Sequence, residues 1–104
     1  MSEYKNVTIT KAASIHFDGK VTSRKITFLD GSVKTLGIMM IGEYEFATAE
    51  EELMEILAGD TEILLAGDTD WQAIKAGQSF EVAANSSFKI KAKTITDYCC
   101  SYIA

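Results

Sequence analysis

A chain of 104 residues, 47% hydrophobic and 24% charged, has material for one buried core and not for two, and its balance excludes a disordered segment. The net charge of −5, with basic residues scattered along the chain, excludes the dense cationic surface of a nucleic-acid binder. No apolar run approaches the ~18 residues of a membrane span, and residues 1–14 (MSEYKNVTITKAAS) hold no stretch of signal-peptide type, so a cytoplasmic location is expected.

Residues 1–14 read as a leader or edge segment, and residues 15–104 as one domain. Proline is absent and seven glycines punctuate short segments that read as strands. Residues 20–29 (KVTSRKITFL) form the first, and Asp30-Gly31 behind it is a strong hairpin signal. Residues 37–46 (GIMMIGEYEF) read as a strand whose continuously apolar first half would be covered on both faces. Residues 50–57 (EEELMEIL) fit two patterns. Leu53, Met54, Ile56 and Leu57 have helical spacing behind an acidic first turn, whereas Met54, Ile56 and Ala58 share one face of a strand.

Residues 61–66 (TEILLA) are another strand, closed by the turn-forming GDTD of 67–70. Strands at 71–74 and 79–83 follow, split by Ala76-Gly77, and 88–92 (FKIKA) alternates cleanly. Lys89, Lys91 and Lys93 share its solvent face. Residues 95–103 (ITDYCCSYI) close the series, with the adjacent Cys99 and Cys100 on opposite faces. A bond between neighbours would be strained, and two thiols with the distant His16 make no zinc set. One buried and one outward thiol are expected. Strands at this spacing, with turn signals between them, indicate an all-β sandwich or barrel.

The blocks GEYEFATAEEELMEILAG (42–59), DTDW (68–71), AGQSFEV (76–82), SSF (86–88) and YCCSY (98–102) occur in that order. Together they resemble the small pyrimidine/purine nucleoside phosphorylase family, from about Val21 to Tyr102. That family is similar to the cupins. The resemblance implies a double-stranded β-helix, or jelly-roll barrel, whose two sheets close on a small pocket. It also implies a homodimer and the phosphorolysis of nucleosides to a free purine or pyrimidine base and ribose 1-phosphate. Cupins usually bind a metal through a His-x-His pair, a Glu and a later His. Here Phe46, Thr48, Glu52 and Phe88 fall at those positions, so the resemblance implies a pocket without a metal.

Phosphorolysis breaks a C–N bond through an oxocarbenium-like transition state. It calls for a carboxylate near the sugar, donors near the departing base and cations or amides around phosphate. If Phe46 faces inward, as the cupin pattern implies, Tyr44 and Thr48 do too, and Glu43 and Glu45 face outward. Continuing the alternation puts Glu50 and Glu52 inside as the catalytic candidates, with Glu50 foremost; a solvated acidic bend is the plainer alternative. No glycine-rich phosphate loop is present. Phosphate ligands are sought among Lys20, Arg24, Lys25 and Lys34, with Arg24 and Lys34 as the candidates. Tyr44, Thr48, Ser87 and Tyr98 are the candidates for contacts to the nucleoside, and aromatic faces would stack on any base. Two rival readings fit the same residues: a non-catalytic cupin that binds a nucleoside-like or sugar-like ligand, and a packed barrel whose surface alone matters.

Overall fold

The computed structural model describes residues 3–103. They form eleven strands and one 3-10 turn, with no α-helix. The strands are β1 (Thr8–Ile9), β2 (Ser14–His16), β3 (Val21–Thr27), β4 (Val33–Met39), β5 (Gly42–Ala47) and β6 (Glu51–Ala58). They continue with β7 (Asp60–Leu65), β8 (Gln72–Lys75), β9 (Ser79–Val82), β10 (Ser87–Ala92) and β11 (Thr96–Ile103). The large sheet runs β1-β3-β4-β11-β6-β9, with β2 following β1 along the same edge of β3; the small sheet runs β5-β10-β7-β8. All pairings are antiparallel. The expected all-β, cupin-like jelly roll is therefore the architecture.

Local chemistry sets the joints. Between β3 and β4 the Phe28 N–H donates to the Ser32 carbonyl at 2.9 Å, and Gly31 sits at φ +88. The Asp30 carboxylate accepts from the backbone N–H and the hydroxyl of Ser32 at 2.8 and 2.6 Å, so the Asp-Gly turn is fixed by its own side chain. Residues 51–58 resolve as strand. Both edges of β6 find partners, β11 on one side and β9 on the other, and this sheet hydrogen bonding outweighs a helix of little more than two turns.

The apolar run 37–46 departs from expectation. It is not one strand: the chain turns at Met40-Ile41 and passes from the large sheet to the small one, with the Met40 N–H bonded to the Lys20 carbonyl at 2.7 Å. Ile38, Met40 and Ile41 consequently stay exposed, and only Met39 is fully buried. The core lies between the sheets. Val21, Met39, Met54 and Ile56 of the large sheet meet Tyr44, Ile63, Phe88 and Ile90 of the small one.

Both cysteines are buried and free, which corrects the expectation of an outward thiol. Cys100 faces the core. Cys99 points the other way but lies beneath the N-terminal segment, where the Tyr4 hydroxyl is 3.7 Å from its sulfur. Ile26 is buried on this same outer face, in register with Ile9 of β1. Tyr4 thus lies over the outer face of the large sheet, while β1 extends that sheet along the edge of β3.

Candidate functional site

Toward one end of the barrel the two sheets part around a cavity of about 180 Å³. The alternation of β3, β4, β6 and β11 supplies its large-sheet wall: Ser23, Thr35, Glu52, Met54, Tyr98, Cys100 and Tyr102 all lie on the inward parity. The small sheet contributes Phe46 and Phe88, whose rings stack with centroids 5.6 Å apart and 27° between planes. His16, at the end of β2, stands at the mouth. Beside it the Phe17 ring lies 5.4 Å from that of Phe46 and 4.9 Å from that of Tyr44.

Glu52 is the carboxylate of this cavity. Burial raises its pKa above the ordinary value of 4.5; the neighbouring charge of Glu50 pushes the same way, and a hydrogen bond from Cys100, Sγ to Oε1 at 3.4 Å, pulls against it. Burial, with the charge of Glu52, drives the Cys100 thiol far up, so it stays protonated as a donor and is no nucleophile. Burial likewise raises Tyr98 and Tyr102 to about 12, which keeps both phenols as neutral donors. The Tyr98 hydroxyl spans to the Thr22 carbonyl at 3.4 Å.

A second depression of about 560 Å³ opens outside the cavity, lined by Ser14, Lys25, Ser32, Thr35, Glu50 and Tyr102. Thr35 and Tyr102 border both spaces. The inner cavity alone falls below the roughly 300–1,000 Å³ typical of small-molecule sites, and the outer depression falls inside that range.

The structure separates the residues singled out from the sequence. Glu52 and Tyr98 line the cavity. Glu50 lies in the outer groove, because residues 48–50 break the strand and the alternation does not run through them. Tyr44 is buried with its hydroxyl donating to the Met40 carbonyl at 2.8 Å. Thr48 is buried and committed: its Oγ1 donates to the Ala83 carbonyl at 2.7 Å and accepts from the Ser86 N–H at 3.0 Å. Ser87 borders a shallow surface depression with Glu45 and Lys89. Arg24 and Lys34 are not brought to the cavity. They occupy the outward parity of β3 and β4, where Arg24 Nε donates to the Lys11 carbonyl at 3.3 Å and Lys34 Nζ lies 5.3 Å from the Tyr4 ring centre.

His16, Ser23 and Thr35 were not singled out as site residues from the sequence, and Tyr102 counted only among the aromatic rings available to a base. Ser23 and Thr35 did carry a signal: each is a small polar residue at the inward parity of Val21 and Met39. His16 carried none, since only the pairing of β2 with β3 brings it to the mouth.

The residues at the usual cupin metal positions do not fit a metal. Phe46 and Phe88 offer stacked phenyl rings, and the Thr48 hydroxyl is spent on the backbone. Among the described residues no cluster of three or more His, Cys, Asp or Glu side chains is placed to hold an ion.

Two antiparallel sheets closing on an aromatic-walled cavity at one end define a small single-domain cupin. An RmlC-like cupin from Shewanella frigidimarina superposes with a TM-score of 0.70 over 97% of this chain and 86% of that one, at 16% identity, a likeness of fold alone. A DUF1255 protein of unknown function from Acinetobacter sp. ADP1 superposes with a TM-score of 0.95 at 35% identity, covering 97% of this chain and 98% of the other. The family model described as pyrimidine/purine nucleoside phosphorylase matches residues 11–102. A protein of Colwellia psychrerythraea named pyrimidine/purine nucleoside phosphorylase is 72% identical over the full length of both chains. The chain belongs to the pyrimidine/purine nucleoside phosphorylase family.

Proposed function

We infer that the chain catalyses the phosphorolysis of purine and pyrimidine nucleosides to free base and ribose 1-phosphate, without a metal. Beyond family membership, one observation carries the reading: a half-buried carboxylate, Glu52, faces a cavity walled by phenyl and phenol rings and opening onto a cation-bearing groove. In this reading the base stacks in the inner cavity against Phe46 and Phe88, whose faces accept any base and so favour broad specificity. The Tyr98 hydroxyl, kept protonated by burial, donates to the departing base on leaving its long 3.4 Å contact with the Thr22 carbonyl. Glu52 stabilises the positive charge that develops on the ribose ring, and the low-polarity wall around it strengthens that interaction. The cavity is too small for a whole nucleoside, so the sugar lies at its mouth and phosphate approaches from the outer groove. Glu50, in that groove, acts on the phosphate side. Lys34 and Arg24, committed elsewhere on the outer face, have no part in it.

The active unit is read as a cytoplasmic homodimer. Support comes from the exposed apolar side chains Ile38, Leu57 and Ile95 around the outer end of the large sheet.

Purified protein incubated with uridine or adenosine tests the reaction. Free base should appear only with inorganic phosphate, and activity should survive exhaustive dialysis against a chelator. Thermal stabilisation by nucleoside without base release would instead favour a non-catalytic binding protein. Activity lost on chelation and restored by a divalent ion would overturn the metal-free reading.

A further inference from the structure

The strand register decides which early basic residue can meet phosphate. Ser23 and Thr35 line the inner cavity, and Lys25, two residues beyond Ser23 and in register with Thr35, lies on the same face of the large sheet. Arg24 and Lys34 have the opposite parity. Lys25 lines the outer groove with Ser14, Thr35, Glu50 and Tyr102. Among the described residues Lys5, Lys75 and Lys93 form ion pairs, whereas Lys25 forms none. The groove therefore holds an uncommitted ammonium and the hydroxyls of Ser14, Thr35 and Tyr102. The Ser32 hydroxyl is already donated to Asp30.

Glu50 is the odd member. An ionised carboxylate only accepts hydrogen bonds, so in an anion site it repels any guest without a proton to give. Inorganic phosphate near neutral pH keeps a P–OH group, and sulfate has none. We propose that the outer groove is the phosphate subsite, in which Lys25 neutralises the anion and Glu50 accepts the P–OH hydrogen bond, so that the site selects protonated phosphate over sulfate. The proposal rests on the phosphorolysis reading for its place in the reaction. The subsite itself stands on the groove. A carboxylate beside the anion disfavours a guest that has no proton to give it.

Calorimetric titration of the full chain with inorganic phosphate alone, and with sulfate alone, tests the subsite directly. Phosphate should bind at least about tenfold more tightly than sulfate, the discrimination expected of a polar site that loses a partner. Lys25→Met should weaken phosphate by about tenfold or more, and Lys25→Arg should keep it within about threefold, because charge-assisted bonds carry the binding. Glu50→Gln, whose amide can donate to sulfate, should narrow the phosphate-to-sulfate ratio to about threefold or less. In steady-state assays Lys25→Met should raise KM for phosphate with little change in KM for nucleoside. Lys25 is exposed, so an unchanged melting temperature for Lys25→Met should accompany these effects.

Equal binding of sulfate and phosphate by the unaltered chain, absence of phosphate binding, or phosphate affinity unchanged in Lys25→Met would each overturn the subsite. Phosphorolysis with an unchanged phosphate KM in Lys25→Met would keep the reaction and remove the subsite. Lys25-dependent phosphate binding without any phosphorolysis would keep the subsite and remove the reaction.

Discussion

Replacing Gly37 by alanine probes how tightly the cavity wall is built. Gly37 sits on β4 in register with Ser23 on one side and Tyr98 on the other. A Cβ there would fall on the backbone carbonyl oxygen of Thr22 and come within 2.7 Å of both Cζ and the hydroxyl of Tyr98. The Thr22 carbonyl cannot yield without moving β3 away from β4. The Tyr98 ring, 6% exposed, cannot swing aside without collapsing the cavity. Overpacking of this kind costs about 1–3 kcal/mol. Loss of the Tyr98 bond to Thr22 adds about 1 kcal/mol, and the entropic gain of alanine over glycine returns less than about 1 kcal/mol. Gly37→Ala should therefore lose about 1–4 kcal/mol of stability. For a domain of this size that is a fall of roughly 5–30 °C in Tm. Urea unfolding followed by circular dichroism measures the loss. Adding Tyr98→Phe should not restore it, because the clash with the carbonyl remains. Gly67→Ala is the comparison: that site has φ +85 and nothing within 4 Å, so only backbone strain of about 1 kcal/mol applies. A Gly37→Ala protein within about 0.5 kcal/mol of the parent would refute the packing argument.

Thr48→Val should cost about 1–3 kcal/mol, since it strands the Ala83 carbonyl and the Ser86 N–H at a buried position; Thr48→Ser should recover most of it in the same unfolding assay. Glu52 should impose a pH dependence on both stability and rate. Its folded-state pKa is raised, so the native chain holds the proton more tightly than the unfolded one. The resulting stability is fully present below the ordinary value of 4.5 and is lost as pH rises through the folded value. Melting curves from about pH 4 upward should show this decline, and Glu52→Gln should flatten it. In the proposed reaction Glu52 acts as the carboxylate. The acid limb of kcat/KM should then lie above the ordinary carboxylate range, and Glu52→Gln should lower kcat/KM by about tenfold or more.

The short-range features were legible because local chemistry decides them. Asp30-Gly31 is a turn in any context that pairs its flanks, and the alternation of Glu43, Tyr44, Glu45 and Phe46 needs only the strand period. Residues 50–57 were ambiguous for the same reason: helix and strand both bury half the apolar groups, and the choice came from partners 24 to 52 residues away. Arg24 against Lys25 is the sharper case. One residue of parity separates the outer face from the groove, and parity is set by which face of β3 the barrel closes upon. Local pattern is weak there, because Ile26 is buried on the outer face beside Ile9 while Ser23 is buried on the inner one. One thiol was expected to be outward, and Cys99 is buried instead because its cover, Tyr4, lies 95 residues away in the chain.

The place of β11 reaches beyond the folded state. This last strand is not an edge; it lies between β4 and β6 and joins the two halves of the large sheet. On the ribosome, everything up to residue 95 can be made and partly paired while that seam is still open. Until the final strand emerges, β4 and β6 each present a bare row of N–H and carbonyl groups, the surfaces on which strands of other chains add. The wall that carries Tyr98 and Tyr102 is thus closed only after β4 and β6 have been made, and until then the nascent chain is exposed to misassembly.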